Sequence, residues 1–224
     1  MTWIDLGNPA PKDIIEPYEL VRWPTGQIKR LPSGSAQHDH AFEKVIISRR
    51  TRREFRKIDD EQLGRLLRQA CSSREAWPSD HGFDLEHRAA PSAGAIHPIH
   101  LLLHLPDDPR WWLYQPQGHY LVEICGAAAR LDGLLLKCAE VLEGDNAVHI
   151  LFIAEPGKTL AKYQDGCSLI WRDAGALLTV IALTAHAQGL SFCPLGITGE
   201  PWASTLDDQG QLVGVGLGLL GALR

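Results

Sequence analysis

The chain has 224 residues, of which 45% are hydrophobic and 22% charged, with a formal net charge of -5; this is ordinary globular composition with enough apolar material for a sizeable core. An acidic chain with a pI near 6.0 argues against broad nucleic-acid binding, whose footprint is a basic domain. The five cysteines are scattered with no C-x-x-C pair, no charged-then-apolar leader opens the sequence, and its apolar runs are too short or too interrupted to span a bilayer, so a soluble cytoplasmic protein is expected.

Residues 1 to about 37 carry Pro9, Pro11, Pro17, Pro24 and Pro32 with little periodicity and read as an extended arm. Trp3, Tyr18 and Trp23 supply apolar anchors, and the arm is expected to lie across a second subunit. The division expected is an arm over 1–40 and a single domain over 41–224. From Asp39 the pattern changes: Ala41, Phe42, Val45 and Ile46 mark a helix face. The helix closes at Arg49–Lys57, where six of nine residues are cationic. In an acidic chain such a cluster asks for an anion, whether nucleic-acid backbone, membrane surface or the phosphate of a small molecule, unless it is a solvated basic face. Asp59 then caps a helix with the stripe Leu63, Leu66, Leu67 and Ala70, running to about Ser72.

Residues 73–90 read as polar and irregular. They lead into Pro91-Ser92-Ala93-Gly94-Ala95-Ile96-His97-Pro98, small residues between prolines, which let backbone approach a flat ligand closely. Strands are expected at Ile99–Leu105, Trp111–Tyr114 and His119–Ile124, the last two joined by a turn at Gln115–Gly118. A helix over Ala127–Glu143 and a continuous apolar strand over Val148–Ala154, stopped by Pro156-Gly157, come next. Ser168–Gln188 is a long helix, apolar on most sides and closed by Gly189, of the kind shared between a core and a dimer interface. Strands at Ser191–Leu195 and Leu212–Leu220 end the chain. The interleaving lacks strict βαβ alternation, so the class is α+β around a mostly antiparallel sheet flanked by helices.

Several motifs carry little. Gly216-x-Gly218-x-x-Gly221 has no helix after it to receive a pyrophosphate, and its glycines are read as letting the last strand pass close to neighbouring backbone. His38-Asp39-His40 has no second ligand set at a recognisable spacing, so no metal is expected. His97, His100 and His104 do not share one face of a strand, and no G-x-S-x-G or activated cysteine supports covalent catalysis.

Three stretches together resemble a known family. Arg49-Arg50-Thr51-x-Arg53-x-Phe55 is similar to the R-R-S-x-R-x-F signature of FMN-dependent nitroreductases, with threonine for serine. Pro91-Ser92-Ala93-Gly94-Ala95 resembles the P-S-A-G-A segment of its SagB-type dehydrogenase branch, the azoline oxidases, and Gly189-Leu190 with Pro194-Leu195-Gly196 resembles the family's G-L-x-x-x-P-x-G stretch. The resemblance implies a nitroreductase-like fold over 41–224 and a homodimer with FMN at the subunit interface. Arg49, Arg50, Thr51 and Arg53 would hold the phosphate and ribityl end by charge-assisted hydrogen bonds. Pro91, Ser92, Ala93 and Gly94 would line the isoalloxazine, and Pro194, Leu195 and Gly196 would lie near its other face or reactive edge. Arg52, Arg56 and Lys57 fall outside the match and are read as surface charges. Arg224 is the only cation after the last strand to assist with phosphate.

The azoline-oxidase branch also carries a Lys-Tyr pair between the central strand and the long helix, where Lys162-Tyr163 stand. Oxidation of an azoline removes a hydride to flavin N5 and a proton to a base, the role implied for Lys162, with Tyr163 to relay or orient the proton. The reading is an FMN-dependent oxidoreductase acting on azoline rings of a ribosomally made peptide, beside a cyclodehydratase-type partner. An NAD(P)H-dependent nitro, quinone or flavin reductase and a non-catalytic flavin-binding subunit of a peptide-modifying complex are the alternatives. In a snorkelling lysine and an interface tyrosine the pair has a purely structural alternative.

Overall fold

The computed structural model describes residues 6–34 and 41–223; Trp3, His38-Asp39-His40 and Arg224 lie outside the described residues. In chain order the elements are β1 (Ala10–Pro11), β2 (Thr25–Arg30), α1 (Phe42–Ser48), α2 (Asp60–Cys71), β3 (Glu75–Trp77), β4 (Leu85–His87), β5 (Ile99–His104), β6 (Trp111–Gln115), β7 (Tyr120–Ile124), α3 (Ala127–Val141), β8 (Val148–Ala154), α4 (Pro156–Lys162), β9 (Tyr163–Gln164), α5 (Cys167–Ala187), β10 (Leu190–Leu195) and β11 (Val213–Ala222). Short 3-10 turns stand at Ala93–Ala95 and Ala203–Leu206.

A seven-stranded sheet in the order β10-β11-β8-β5-β6-β7-β2 is the frame, and every neighbouring pair in it is antiparallel. The α+β class read from the sequence is the one observed. Strand β8 explains why its sequence is continuously apolar. Ile150 and Phe152 join a core with Leu66, Leu67 and Ile181 of α2 and α5, whereas Leu151 and Ile153 join a second core with Leu131 and Leu134 of α3. Alternating side chains of Ile150–Ile153 meet helices on both faces, which keeps that run apolar, and the strand's one polar residue, His149, stands near its start against His104. Asp59 caps α2 as expected, in a capping box with Gln62.

Four expectations are overturned. The arm does not lie apart from the domain: β2 is the edge strand of the main sheet, paired with β7, and Leu31 is buried in the core. Trp23 sets its ring edge-on to His100 of the same chain, and Val21 donates its backbone N–H to Glu155 Oε1 at 2.6 Å. The stretch 73–90 contains an antiparallel hairpin, β3 with β4. Pro156-Gly157 does not merely stop β8 but opens α4, because a proline at the first helical position sacrifices only an N–H that would have no helical partner. And α5 is long and apolar enough, by length and composition, to cross a membrane. Its stripe Ile170, Ala174, Leu177, Ile181 and Ala185 packs on the sheet as part of the core, and Asp173 on the same helix is buried in a polar contact.

The last strand runs as close to its neighbours as its glycines suggested. A Cβ on Gly221 would stand 2.8 Å from Arg56 O and 2.8 Å from Phe55 Cβ, and Arg56 and Ala222 exchange backbone hydrogen bonds of 3.0 and 2.8 Å. The segment that follows the arginine cluster is thereby stitched to β11.

Candidate active site

The turn between Pro91 and Pro98 is held in a conformation that isolated residues avoid. Gly94, Ala95 and His97 have φ of 64°, 59° and 49°, and the left-handed region costs a non-glycine residue on the order of 1–3 kcal/mol. Hydrogen bonds over-determine the turn. Ser92 Oγ donates to Asp173 Oδ2 at 2.5 Å, the Ala93 N–H donates to Asp173 Oδ1 at 3.2 Å, and the His97 N–H donates to Ser92 Oγ at 2.9 Å. Burial pushes the Asp173 carboxyl above its ordinary range, against the opposing pull of Ser92 and the Ala93 amide. Asp173 was missed in the sequence because it sits inside an apolar helix with no motif around it.

Lys162 and Tyr163 reach the same turn from the other side. A Cβ built on Gly94 would lie 2.8 Å from Lys162 Nζ and 2.9 Å from Tyr163 Oη. Two polar tips therefore converge on a residue that has no side chain, and Lys162 Nζ stands 5.7 Å from the centre of the Tyr163 ring. The dyad falls where α4 ends and β9 begins, and the N-terminal segment fixes it there. Ala10 and Pro11 pair with Gln164 and Tyr163, and the Lys12 N–H donates to Lys162 O at 2.9 Å.

The arginine cluster is built differently. Arg49 caps α1 with its N–H on Val45 O, and Arg50 folds back so that Nη1 donates to Ile47 O and Arg49 O. Among the described residues Arg49, Arg50, Arg52 and Arg53 enter no salt bridge. Arg52, read from the sequence as a surface charge, lines with Arg53, Glu54, Ser191 and Leu223 a cavity of about 330 Å³. Ser191 is fully buried and its Oγ has no hydrogen-bond partner. Thr51 is half-buried beside them. Lys57 keeps the surface role, paired with Asp107.

Within one chain these two groups are not neighbours. Ser92 is tied to Asp173 near the start of α5, whereas Ser48, next to Arg49, meets His186 Nε2 at 2.8 Å near its end. Thirteen residues at 1.5 Å rise separate the two attachment points by about 20 Å along the helix. Pro194 and Leu195 lie at the end of edge strand β10, paired with Gly218 and Leu217, and Gly196 follows them with open space where a side chain would stand. The chain thus assembles a turn-and-dyad site at one end of α5 and a cationic site at the other.

The family model described as "Nitroreductase family" matches residues 46–201, and the protein belongs to that family. No curated protein matches the chain. A nitroreductase-like structure from Ralstonia eutropha superposes with a TM-score of 0.67 at 18% identity, covering 94% of this chain and 99% of that one. A nitroreductase-like structure in complex with FMN from Desulfovibrio desulfuricans gives 0.53 at 20% identity, covering 82% and 86%. The microcin synthetase McbBCD complex of E. coli with truncated pro-MccB17 bound gives 0.57 at 17% identity, covering 86% and 76%. At these identities the likenesses show the fold, which is nitroreductase-like. FMN is the cofactor that goes with the family, and the residues present fit it: Arg52 and Arg53, in no salt bridge among the described residues and lining a cavity with an unpartnered serine hydroxyl, suit a phosphate, and a side-chain-free turn suits a flat ring.

Proposed function

We propose that this flavin-dependent oxidoreductase is of the SagB type and oxidises azoline rings in a ribosomally made peptide, and that Lys162 is its base. The observation that carries the reading is the convergence of Lys162 Nζ and Tyr163 Oη on Gly94. In it, Arg49, Arg50, Thr51 and Arg53 hold the phosphate and ribityl end of FMN, while Pro91, Ser92, Ala93 and Gly94 and the Pro194-Leu195-Gly196 stretch flank the ring. FMN, when bound, supplies the acceptor for the hydride that leaves the azoline. Lys162 Nζ is placed to take the proton from the adjacent ring carbon, and the electron pair left behind forms the double bond that makes the ring aromatic. Tyr163 Oη orients that amine, and the Lys12 N–H, by fixing the Lys162 carbonyl, holds the dyad over Gly94.

The separation of about 20 Å along α5 supports a homodimer in which the cationic site of one copy completes the turn-and-dyad site of the other. Helix α1 offers an apolar face for it: Phe42, Ile46 and Ile47 are 72%, 49% and 67% exposed. A cytoplasmic setting and a cyclodehydratase-type partner belong to the same reading, since the azoline must first be made.

The test is incubation of the purified, FMN-loaded protein in air with an azoline-bearing peptide, followed by mass spectrometry. Loss of two hydrogens per ring is expected, and Lys162→Ala should keep the flavin and lose this product. Rapid bleaching by NAD(P)H with turnover of a nitroaromatic and none of the peptide would instead make it a reductase. Flavin and peptide binding without any turnover would make it a non-catalytic subunit.

A further inference from the structure

A second cavity, of about 280 Å³, lies away from the arginine cluster. It is enclosed by the N-terminal segment at Leu20, Val21 and Trp23, by β5 and β6, and by Glu155 and Lys158 at the start of α4. Four charged side chains on its walls are deeply buried. Glu155, Lys158 and Glu86 are 1%, 6% and 8% exposed, and the Arg88 side chain is 12% exposed.

Their hydrogen bonds are unevenly satisfied. Glu86 accepts from Arg88 Nε at 2.8 Å and from Gln117 Nε2 at 3.3 Å, and Glu155 accepts from the Val21 N–H at 2.6 Å and from His100 Nε2 at 2.8 Å. Each carboxylate oxygen is engaged. The cations are not. Lys158 Nζ donates only to His97 O at 3.1 Å and otherwise faces the Phe83 ring at 5.0 Å, and Arg88 uses one N–H of the five a guanidinium carries. Among these four charged groups, the unmet capacity is therefore donor capacity, on Arg88 and Lys158.

We propose that this cavity is a binding site for a small organic carboxylate, its oxygens on Arg88 and Lys158 and its apolar body against Trp23, Leu101 and Leu177. Planar guanidinium donors match a carboxylate's two oxygens. The apolar walls call for an organic body rather than a bare inorganic anion. A monoanion brings less charge to be desolvated into this buried site than the two charges of a phosphate. Lys158 retains its proton at neutral pH: burial and then Arg88 lower its pKa to about 8, against the pull of Glu155 and Glu86. The site also touches the proposed active site, since Lys158 holds His97 O and the His97 N–H holds Ser92 Oγ.

The probe is benzoate, titrated into the purified protein at constant ionic strength while tryptophan emission and the melting temperature are followed. A saturable change is expected with benzoate, none with neutral benzamide, and none with inorganic phosphate. Trp23→Phe should remove the optical signal and leave the thermal one. Arg88→Gln should weaken binding at least tenfold. Leu20→Phe, which fills the cavity from its exposed rim and leaves every buried ion in place, should also weaken it, and it covers the case in which Arg88→Gln does not fold. Arg49→Ala with Arg53→Ala should leave benzoate binding unchanged, which separates this site from that of the flavin phosphate. Equal binding of benzamide, preferential binding of phosphate, no saturable change, or full-strength binding by Leu20→Phe or a folded Arg88→Gln overturns the proposal.

Discussion

Gly94 and Lys162 stand so close that a Cβ at residue 94 would lie 2.8 Å from Lys162 Nζ, and any side chain there must push the lysine tip aside. The glycine also holds φ of 64°, so both its backbone and the missing side chain serve the same close approach. Gly94→Ala is expected to displace the lysine and to lower turnover at least tenfold. Left-handed strain would cost about 1–2 kcal/mol of stability. Turnover per bound FMN and thermal melting of the same preparation check it.

Lys12 supplies the second prediction. Its N–H is the donor that fixes the Lys162 carbonyl at the end of α4. Lys12→Pro deletes that donor, while Lys12→Ala retains it. The proline variant should lose about 1 kcal/mol of stability and most turnover, and the alanine variant should lose neither.

The stability of the protein should rise in mild alkali because of Lys158. Its pKa is lowered to about 8 in the folded state, by burial first and by Arg88 second, with Glu155 and Glu86 opposing. Between about 8 and the ordinary lysine value near 10.4 the unfolded chain then binds more protons than the folded one. Unfolding free energy consequently increases with pH across that window, by about 3 kcal/mol at most. Denaturant melts from about pH 7.5 to 10.5 should show the rise in wild type and a flatter profile in Lys158→Met.

Asp173 anchors the turn through Ser92 and the Ala93 amide. Asp173→Ala leaves a buried hydroxyl and amide short of their acceptor, a loss of about 2–4 kcal/mol for the pair. A lower melting temperature and faster hydrogen exchange at Ala93 and His97, with little change at β5, would locate the effect in the turn.

How much of this was legible follows from burial. Strands β5 and β8 could be read because both of their faces are covered, which makes apolar runs of Leu101-Leu102-Leu103 and Ile150-Leu151-Phe152-Ile153 obligatory. Strand β2 could not, because Thr25–Arg30 is an exposed edge strand held by one neighbour, and nothing there demands alternation. The seven residues of α4 are too few for a helical period to show, and their leading Pro-Gly signals a stop. In the site, the arginine cluster announced itself by charge density, and the small-residue turn by its prolines. Asp173, Ser191 and Lys12 act through a buried carboxylate, an orphaned hydroxyl and a backbone N–H, features that tertiary structure creates and residue type does not advertise.

The central claim is that the arginine cluster holds FMN for an oxidation at Lys162 and Tyr163, and equilibrium binding of FMN tests it most directly. Wild-type protein should purify yellow or take up FMN tightly. Arg49→Ala with Arg53→Ala should weaken that binding by at least about 100-fold, the loss expected of two charge-assisted contacts. A colourless wild type with no affinity for FMN, or a double variant that binds it as well as wild type, would contradict the account.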